Sequence, residues 1–471
     1  MNVADYEFLA VASLAFLTPT AFALIGAAGL PPKRVWDGAL GGLAALGLAG
    51  LAYWALGFAL QFGGIGLVYA HPGLEGLVWE WSALPASWGS GWGMAGLSGW
   101  FLAGDSITPT AYALFLGSLP RVMVAALLPV VALRGRAPAM ATLLAGLFMG
   151  GVVYPLAGNW VQGGGWLASL GRNLGLGHGL VDFGGAGVVF LVAGAFTAAA
   201  LLIWLPRRPA QPLTDPSLPR AHLPLLVVVG GLLLPAGLLG WNWADPIQTT
   251  AMQDGALRGG VNTILALVVG GIVPLLYTWF VAGRSDPQFT ARGVAAGAVA
   301  SLGVGPFVPS GVALAVGFLA GATVPFVTFA VDRILRLDDR AGVVSMTLLP
   351  ALIGLLALGL FADGSLGAGF QNTGVGSYLG VTDQGVSGLF VAAGFQPDFP
   401  GQLQAQIIGV VALALWGFVT GSLVCAPLAA LFHGLERTVV SHQSSPKATP
   451  LPEVPFQDVD AGPRAPSSFA N

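Results

Sequence analysis

The sequence predicts an all-α integral membrane protein that crosses a bilayer eleven times, with its N-terminus outside and its C-terminus inside. Three observations carry this. Of 471 residues, 55% are hydrophobic and only 8% are charged, whereas a soluble chain carries roughly 25% charged residues to solvate its surface. Mean hydropathy is +0.79, and the apolar residues gather into stretches near the ~20 residues that cross a hydrocarbon core. The cations gather on alternate connections, as orientation in a membrane requires. The 71 glycines suit helices that approach one another closely. They follow no G-X-Y period, and the apolar fraction excludes disorder.

The candidate spans are 7–29, 36–62, 108–133, 138–160, 179–205, 223–245, 259–282, 291–307, 311–333, 342–362 and 402–432. The shortest is 291–307, and 108–133 carries Arg121 near its middle. Met1 to Phe8 holds Asp5 and Glu7 but no Lys or Arg, so it lacks a basic secretory leader and the first span is expected to be retained. The connections 63–107 and 364–401, rich in Gly, Trp and Pro, are expected to form partly structured caps. The transmembrane domain is placed at 1–433, followed by a polar, Pro/Ser-rich cytoplasmic tail at 434–471 that is expected to be disordered.

With the N-terminus outside, Lys33, Arg34, Arg134, Arg136, Arg207, Arg208, Arg220, Arg284, Arg333, Arg336 and Arg340 all face the cytoplasm. So do Arg437, Lys447 and Arg464, while Arg172 and Arg258 fall outside. The reverse orientation would expose nearly every cation on the outer side. A cell membrane follows, with a bacterial inner membrane as the default.

Several stretches resemble the ammonium transporter family (Amt/Mep/Rhesus) over about residues 8–435. They are FLTPTAFALIGAAGL at 16–30, YWALGFALQFGG at 53–64, GGGWLASLG at 163–171 and DFGGAGVVF at 182–190. GVNT at 260–263, ARGVAAGAVASL at 291–302, VPSGVALAVGFLAG at 308–321 and LDDRAGVVSMTLLPALIGLLALGLFADG at 337–364 continue the series in order. The resemblance implies two inverted five-helix repeats around one pore, a long final helix and a homotrimer. It implies ammonium or ammonia as substrate, and membrane lipid as the remaining partner.

The resemblance also assigns pore positions, and here the chain departs from the family. A histidine pair at mid-membrane would handle a proton near neutral pH, but its two positions hold Phe190 and Thr347. His71, His178, His222, His433 and His442 all lie in loops, at span ends or in the tail. The acidic residue heading the fifth helix is kept as Asp182, which also suits a helix cap. At the outer cation site, the family's serine reads as Asp245 and its tryptophan as Gln162. One gate aromatic reads as Trp241, and the other falls near Leu119, within two residues either way. Arg121, costly inside a membrane unless it meets a partner or a cavity, is expected to pair with Asp245 across the outer vestibule and replace the cation site. The other reading has it snorkelling from a helix end.

Asp338 and Asp339 open the tenth helix, where carboxylates suit its dipole. GLER at 434–437 begins a tail without the acidic stretch that many family tails carry, which argues against a signalling partner at the inner face. The one cysteine, Cys425, allows no intrachain disulfide. No phosphate-cradling loop, metal-spaced Cys/His cluster or nucleophile elbow supports an enzyme or a cofactor, and no basic patch supports nucleic acid. The readings carried forward are an ammonium or ammonia channel, a pore diverged toward another small solute, and a non-conducting sensor.

Overall fold

The computed structural model describes residues 3–27, 35–88, 92–134, 136–204, 222–247, 255–337 and 339–443. Lys33, Arg34, Arg207, Arg208, Arg220, Asp338, Lys447 and Arg464 lie outside them, as does residue 444 onward. Eleven helices follow in chain order: α1 (Glu7–Ala27), α2 (Gly41–Leu67), α3 (Pro109–Leu133), α4 (Ala139–Val161), α5 (Ala186–Trp204) and α6 (His222–Trp243). The rest are α7 (Ala256–Ala282), α8 (Pro287–Val304), α9 (Ser310–Ile334), α10 (Val343–Phe361) and α11 (Gly401–Gln443). The chain divides into a unit of Met1–Ala429 and a second of Ala430–Asn471. α11 continues as helix to Gln443, ten residues beyond the boundary expected at 433.

Ten of these helices are long and apolar enough to cross a bilayer; α8 is the exception among the described residues. Its sequence, PQFTARGVAAGAVASLGV, is dominated by Ala and Gly, and every residue from Ala295 to Val304 is buried. A helix walled in by other helices meets little lipid, so it needs small residues for close packing more than it needs hydropathy. The partner surfaces agree. A Cβ on Gly293 or Gly321 would fall on the carbonyl oxygen of Gly270 in α7, and one on Gly297 or Gly317 on that of Ala266. Backbone meets backbone across α7, α8 and α9.

Helix starts follow local chemistry. Thr108 caps α3 by accepting from the Ala111 N–H, with Pro109 at the first helical position. Asp286 caps α8, accepting from Gln288 and Phe289 at 2.8 and 3.2 Å, followed by Pro287. The long connections are structured caps. The first holds the antiparallel pair β1 (Glu80–Ser82) and β2 (Gly93–Gly96), and the second holds β3 (Ser377–Tyr378) and β4 (Val381–Thr382).

An internal repeat is visible in the backbone. Asp182 stands three residues before Gly185, which is left-handed at φ 82° and opens α5. Asp339 stands three residues before Gly342, left-handed at φ 72°, which opens α10. The Asp182 carboxylate accepts from the N–H groups of Gly187 and Val188, both at 2.9 Å. Asp339 accepts from Gly342 at 3.1 Å and Val344 at 2.8 Å. The two positions expected to hold histidines, Phe190 and Thr347, lie at the same offset from their aspartates. Alternation of the spans puts these two starts at opposite ends of the bundle.

Candidate functional site

The connection preceding α5 differs from the helix expected at 179–205: residues 179–185 are non-helical, and helix begins at Ala186. Gly179 and Gly185, at φ 73° and 82°, account for the break. This buried loop carries Asp182 into a cavity of about 260 Å³ at the end of the bundle that the cations assign to the outside. Its wall includes Gln162 from the end of α4, Asp245 beyond α6, Phe62 from α2, and His71, Phe370 and Gln371 from the two caps.

Asp182 is 2% exposed. Its Oδ2 serves as the α5 cap and its Oδ1 takes no hydrogen bond among the described residues. Burial pushes its carboxyl up to about 6, while the N–H groups of Val188 and Gly187 hold it down. Capping and a place on the cavity wall therefore coincide in one side chain.

Arg121 is 1% exposed, so it does not snorkel to a helix end. Its Nη1 lies 3.7 Å from Asp245 Oδ2 and donates to the Gly117 carbonyl at 3.2 Å. Its Nη2 donates to the Trp241 carbonyl at 3.0 Å, and the guanidinium carbon stands 5.6 Å from the Trp241 ring centre. Asp245 Oδ1 accepts from the Ile247 N–H at 3.1 Å. One vestibule carboxylate thus faces a fixed cation at a distance where charge matters strongly out of water.

The two expected pore positions are both buried, one of them among aromatic rings. Phe190 has no exposed surface; its ring centre is 5.2 Å from that of Phe22 and 6.1 Å from that of Trp241. Trp241 Nε1 donates to the Gly184 carbonyl at 2.7 Å, which ties α6 to the Asp182 loop. Phe190 sits in the π-helical first turn of α5, Ala186–Leu191, a local form often found at functional sites. Thr347, also fully buried, packs against Gly194 of α5, and its hydroxyl donates to its own helix at Val343 O, 2.7 Å. Its hydrogen-bonding capacity is turned inward to α10.

Leu119 does not line the cavity and leans on Gly50 of α2. Phe115, one helical turn earlier, packs among rings, stacked at 5.4 Å on Tyr53 and edge-on at 6.2 Å to Phe58. Gln162 reaches the cavity wall and belongs to a buried network that sequence reading did not find. Tyr53 donates to Gln61 Oε1 at 2.7 Å, and Gln61 Nε2 donates to Gln162 Oε1 at 3.0 Å. Gln61 in an apolar span was the available signal.

Arg258, read as an outer cation, sits in the first turn of α7 and pairs with Asp363, while its Nη1 donates to Ser365 at 2.9 Å. The outer face thus holds it neutralised. On the other side, Arg136 donates to Leu337 O at 3.2 Å and Arg292 to Arg340 O.

An eleven-helix bundle with an internal repeat, ten of its helices long and apolar enough to cross a bilayer, and a cavity at one end define a multi-pass membrane protein. The profile of the Ammonium Transporter Family matches residues 7–440, and the chain belongs to that family. Among curated relatives, it is 29% identical over 351 residues to the ammonium transporter Amt2 of Archaeoglobus fulgidus, covering 74% of this chain and 69% of that one. Matches to the Amt1 transporters of Haloferax mediterranei and Methanocaldococcus jannaschii each span 51% of the relative. Among solved structures, a sensor Amt protein superposes with a TM-score of 0.69 at 21% identity, covering 91% of this chain and 93% of that one. Saccharomyces cerevisiae Mep2 superposes with a TM-score of 0.66 at 20% identity, covering 90% and 86%. These superpositions establish the fold.

Proposed function

We propose that this protein carries ammonium or ammonia across a cell membrane by a route that uses no histidine relay. Family membership supports the substrate, and one observation supports the route: Asp182 and Asp245 line an outer cavity, and Trp241, whose ring packs on Phe190, donates to the Gly184 carbonyl of the Asp182 loop. Ammonium is drawn to the vestibule by Asp182, whose Oδ1 takes no hydrogen bond among the described residues. Asp245 contributes less, because Arg121 offsets it. Passage then requires the rings to separate, and Thr347 at most lends a hydroxyl. We assign Gln162, Trp241 and Phe190 to the path and Leu119 to its supporting wall. A homotrimer in a bacterial inner membrane is the expected assembly.

The test is the transient current from purified protein in liposomes after an ammonium pulse, with methylammonium as control. A saturable current supports charge movement without the two histidines. Absence of both a current and an ammonia-driven pH change would overturn the reading. The second reading, a pore for another small neutral solute, draws on Arg121, whose positive charge stands beside the vestibule and opposes a cation there. Uptake of such a solute without ammonium current would favour it.

A further inference from the structure

Residues 177–185 are wholly buried yet form no helix or strand, so their backbone N–H and C=O groups need partners from elsewhere. The Leu167 and Leu302 carbonyls, Gln371 and Trp241 hold Leu180 and Gly184, and two glutamines of α11 hold the stretch just before Asp182. Gln402 Oε1 accepts from the His178 N–H at 2.8 Å, and its Nε2 donates to the Gly179 carbonyl at 2.9 Å. One turn further, Gln406 Oε1 accepts from the Val181 N–H at 2.9 Å. Its Nε2 donates to the Val181 carbonyl at 3.0 Å and to the Leu355 carbonyl of α10 at 2.8 Å. Both side chains have no exposed surface. Each amide mimics a strand's backbone, offering a donor and an acceptor side by side. The next residue after this clamp is Asp182.

We propose that Gln402 and Gln406 are positioning residues for the outer site: they fix the loop so that the Asp182 carboxylate stands both on the α5 N–H groups and on the cavity wall. The other ties of the loop fall on Gly179, Leu180 and Gly184, whereas both backbone groups of Val181, next to Asp182, are taken by Gln406. The loop turns through three left-handed glycines, Gly177, Gly179 and Gly185, and such backbone has many alternative conformations when untied. Glutamines inside a span are costly unless fully bonded, and both are bonded on each side of the amide. The inference rests on the transport reading for its effect on substrate, but not for its effect on Asp182.

Two measurements test it. In proteoliposomes, Gln406→Leu raises the ammonium concentration for half-maximal current at least threefold. Gln406→Glu approaches the parent value as outer pH falls, because a protonated carboxyl again offers one donor and one acceptor. Combined with Asp182→Asn, Gln406→Leu adds little further; independent multiplication of the two effects would overturn positioning through Asp182. In parallel, hydrogen exchange on the full-length protein in detergent reads the amides of Gly187 and Val188, which Asp182 holds. Faster exchange there in Gln402→Leu and Gln406→Leu is expected at unchanged thermal midpoint. Faster exchange confined to His178 and Val181 would show that the glutamines only fasten the loop, and would defeat the proposal. If the parent protein shows neither a current nor an ammonia-driven pH change, the transport reading falls while exchange still decides the positioning.

Discussion

An arginine at mid-helix with 1% exposure must have its charge answered, and Arg121 is answered by Asp245, by two carbonyl groups and by the face of Trp241. Removing one partner of a buried pair leaves the other uncompensated and costs on the order of 3–5 kcal/mol in soluble proteins. Asp245→Asn is therefore expected to lower the thermal midpoint in detergent markedly, and Arg121→Gln in the same chain to restore most of it. A second residue-scale expectation concerns Phe190. Phe190→Ala opens the stack between Phe22 and Trp241, so ammonium-evoked current rises and potassium begins to leak; an unchanged current would place the barrier elsewhere. His178 gives the third. Its imidazole has no exposed surface and no hydrogen bond to either ring nitrogen among the described residues, and it stacks 4.5 Å from Tyr378, whose hydroxyl donates to Asp398 at 2.8 Å. Burial lowers its pKa from 6.5 to about 4, so the folded protein keeps it neutral while the unfolded chain takes up a proton below 6.5. Stability is full above 6.5 and declines as pH falls from 6.5 toward 4. His178→Phe flattens that part of the curve of thermal midpoint against pH.

Helices obey local rules where water or a cap decides, and tertiary rules where other helices do. The starts at Thr108–Pro109 and Asp286–Pro287 are readable as caps, and most spans lie close to their expected limits, the start of α5 and the end of α11 being the clearest departures. α8 is less readable because its apolar demand is relaxed by burial on neighbouring helices rather than in lipid. The π turns at Tyr53–Gly57, Met149–Val153, Ala186–Leu191 and Ala330–Ile334 left no pattern in the sequence, since each inserts a residue into an otherwise regular ladder. The prediction at this scale is that Gly321→Val drives a side chain onto the Gly270 backbone and separates α9 from α7. A loss of several degrees in thermal midpoint checks it, with Gly311→Val, where a Cβ meets nothing within 4 Å, as the control.

For the whole molecule, orientation is the testable quantity. In a Cys425→Ser background, a cysteine at exposed Val375 in the second cap is labelled by a membrane-impermeant maleimide on intact cells. A cysteine at exposed Arg284 is labelled only after permeabilisation. The opposite pattern would reverse the topology. By itself the sequence determined membrane class, span order and family and assigned the orientation that the labelling tests, because hydropathy and cation placement are written residue by residue and need no knowledge of contacts. It also located Asp182, Gln162, Trp241 and Asp245 as residues to watch. Only the tertiary structure decided that Arg121 faces Asp245 rather than a helix end, that Leu119 leans on Gly50 while Phe115 packs on Tyr53, and that Gln402 and Gln406 hold a loop more than 200 positions away in the chain. Those outcomes depend on which helix faces which, and small shifts in helix register, from proline interruptions and π turns, change that facing while leaving composition untouched.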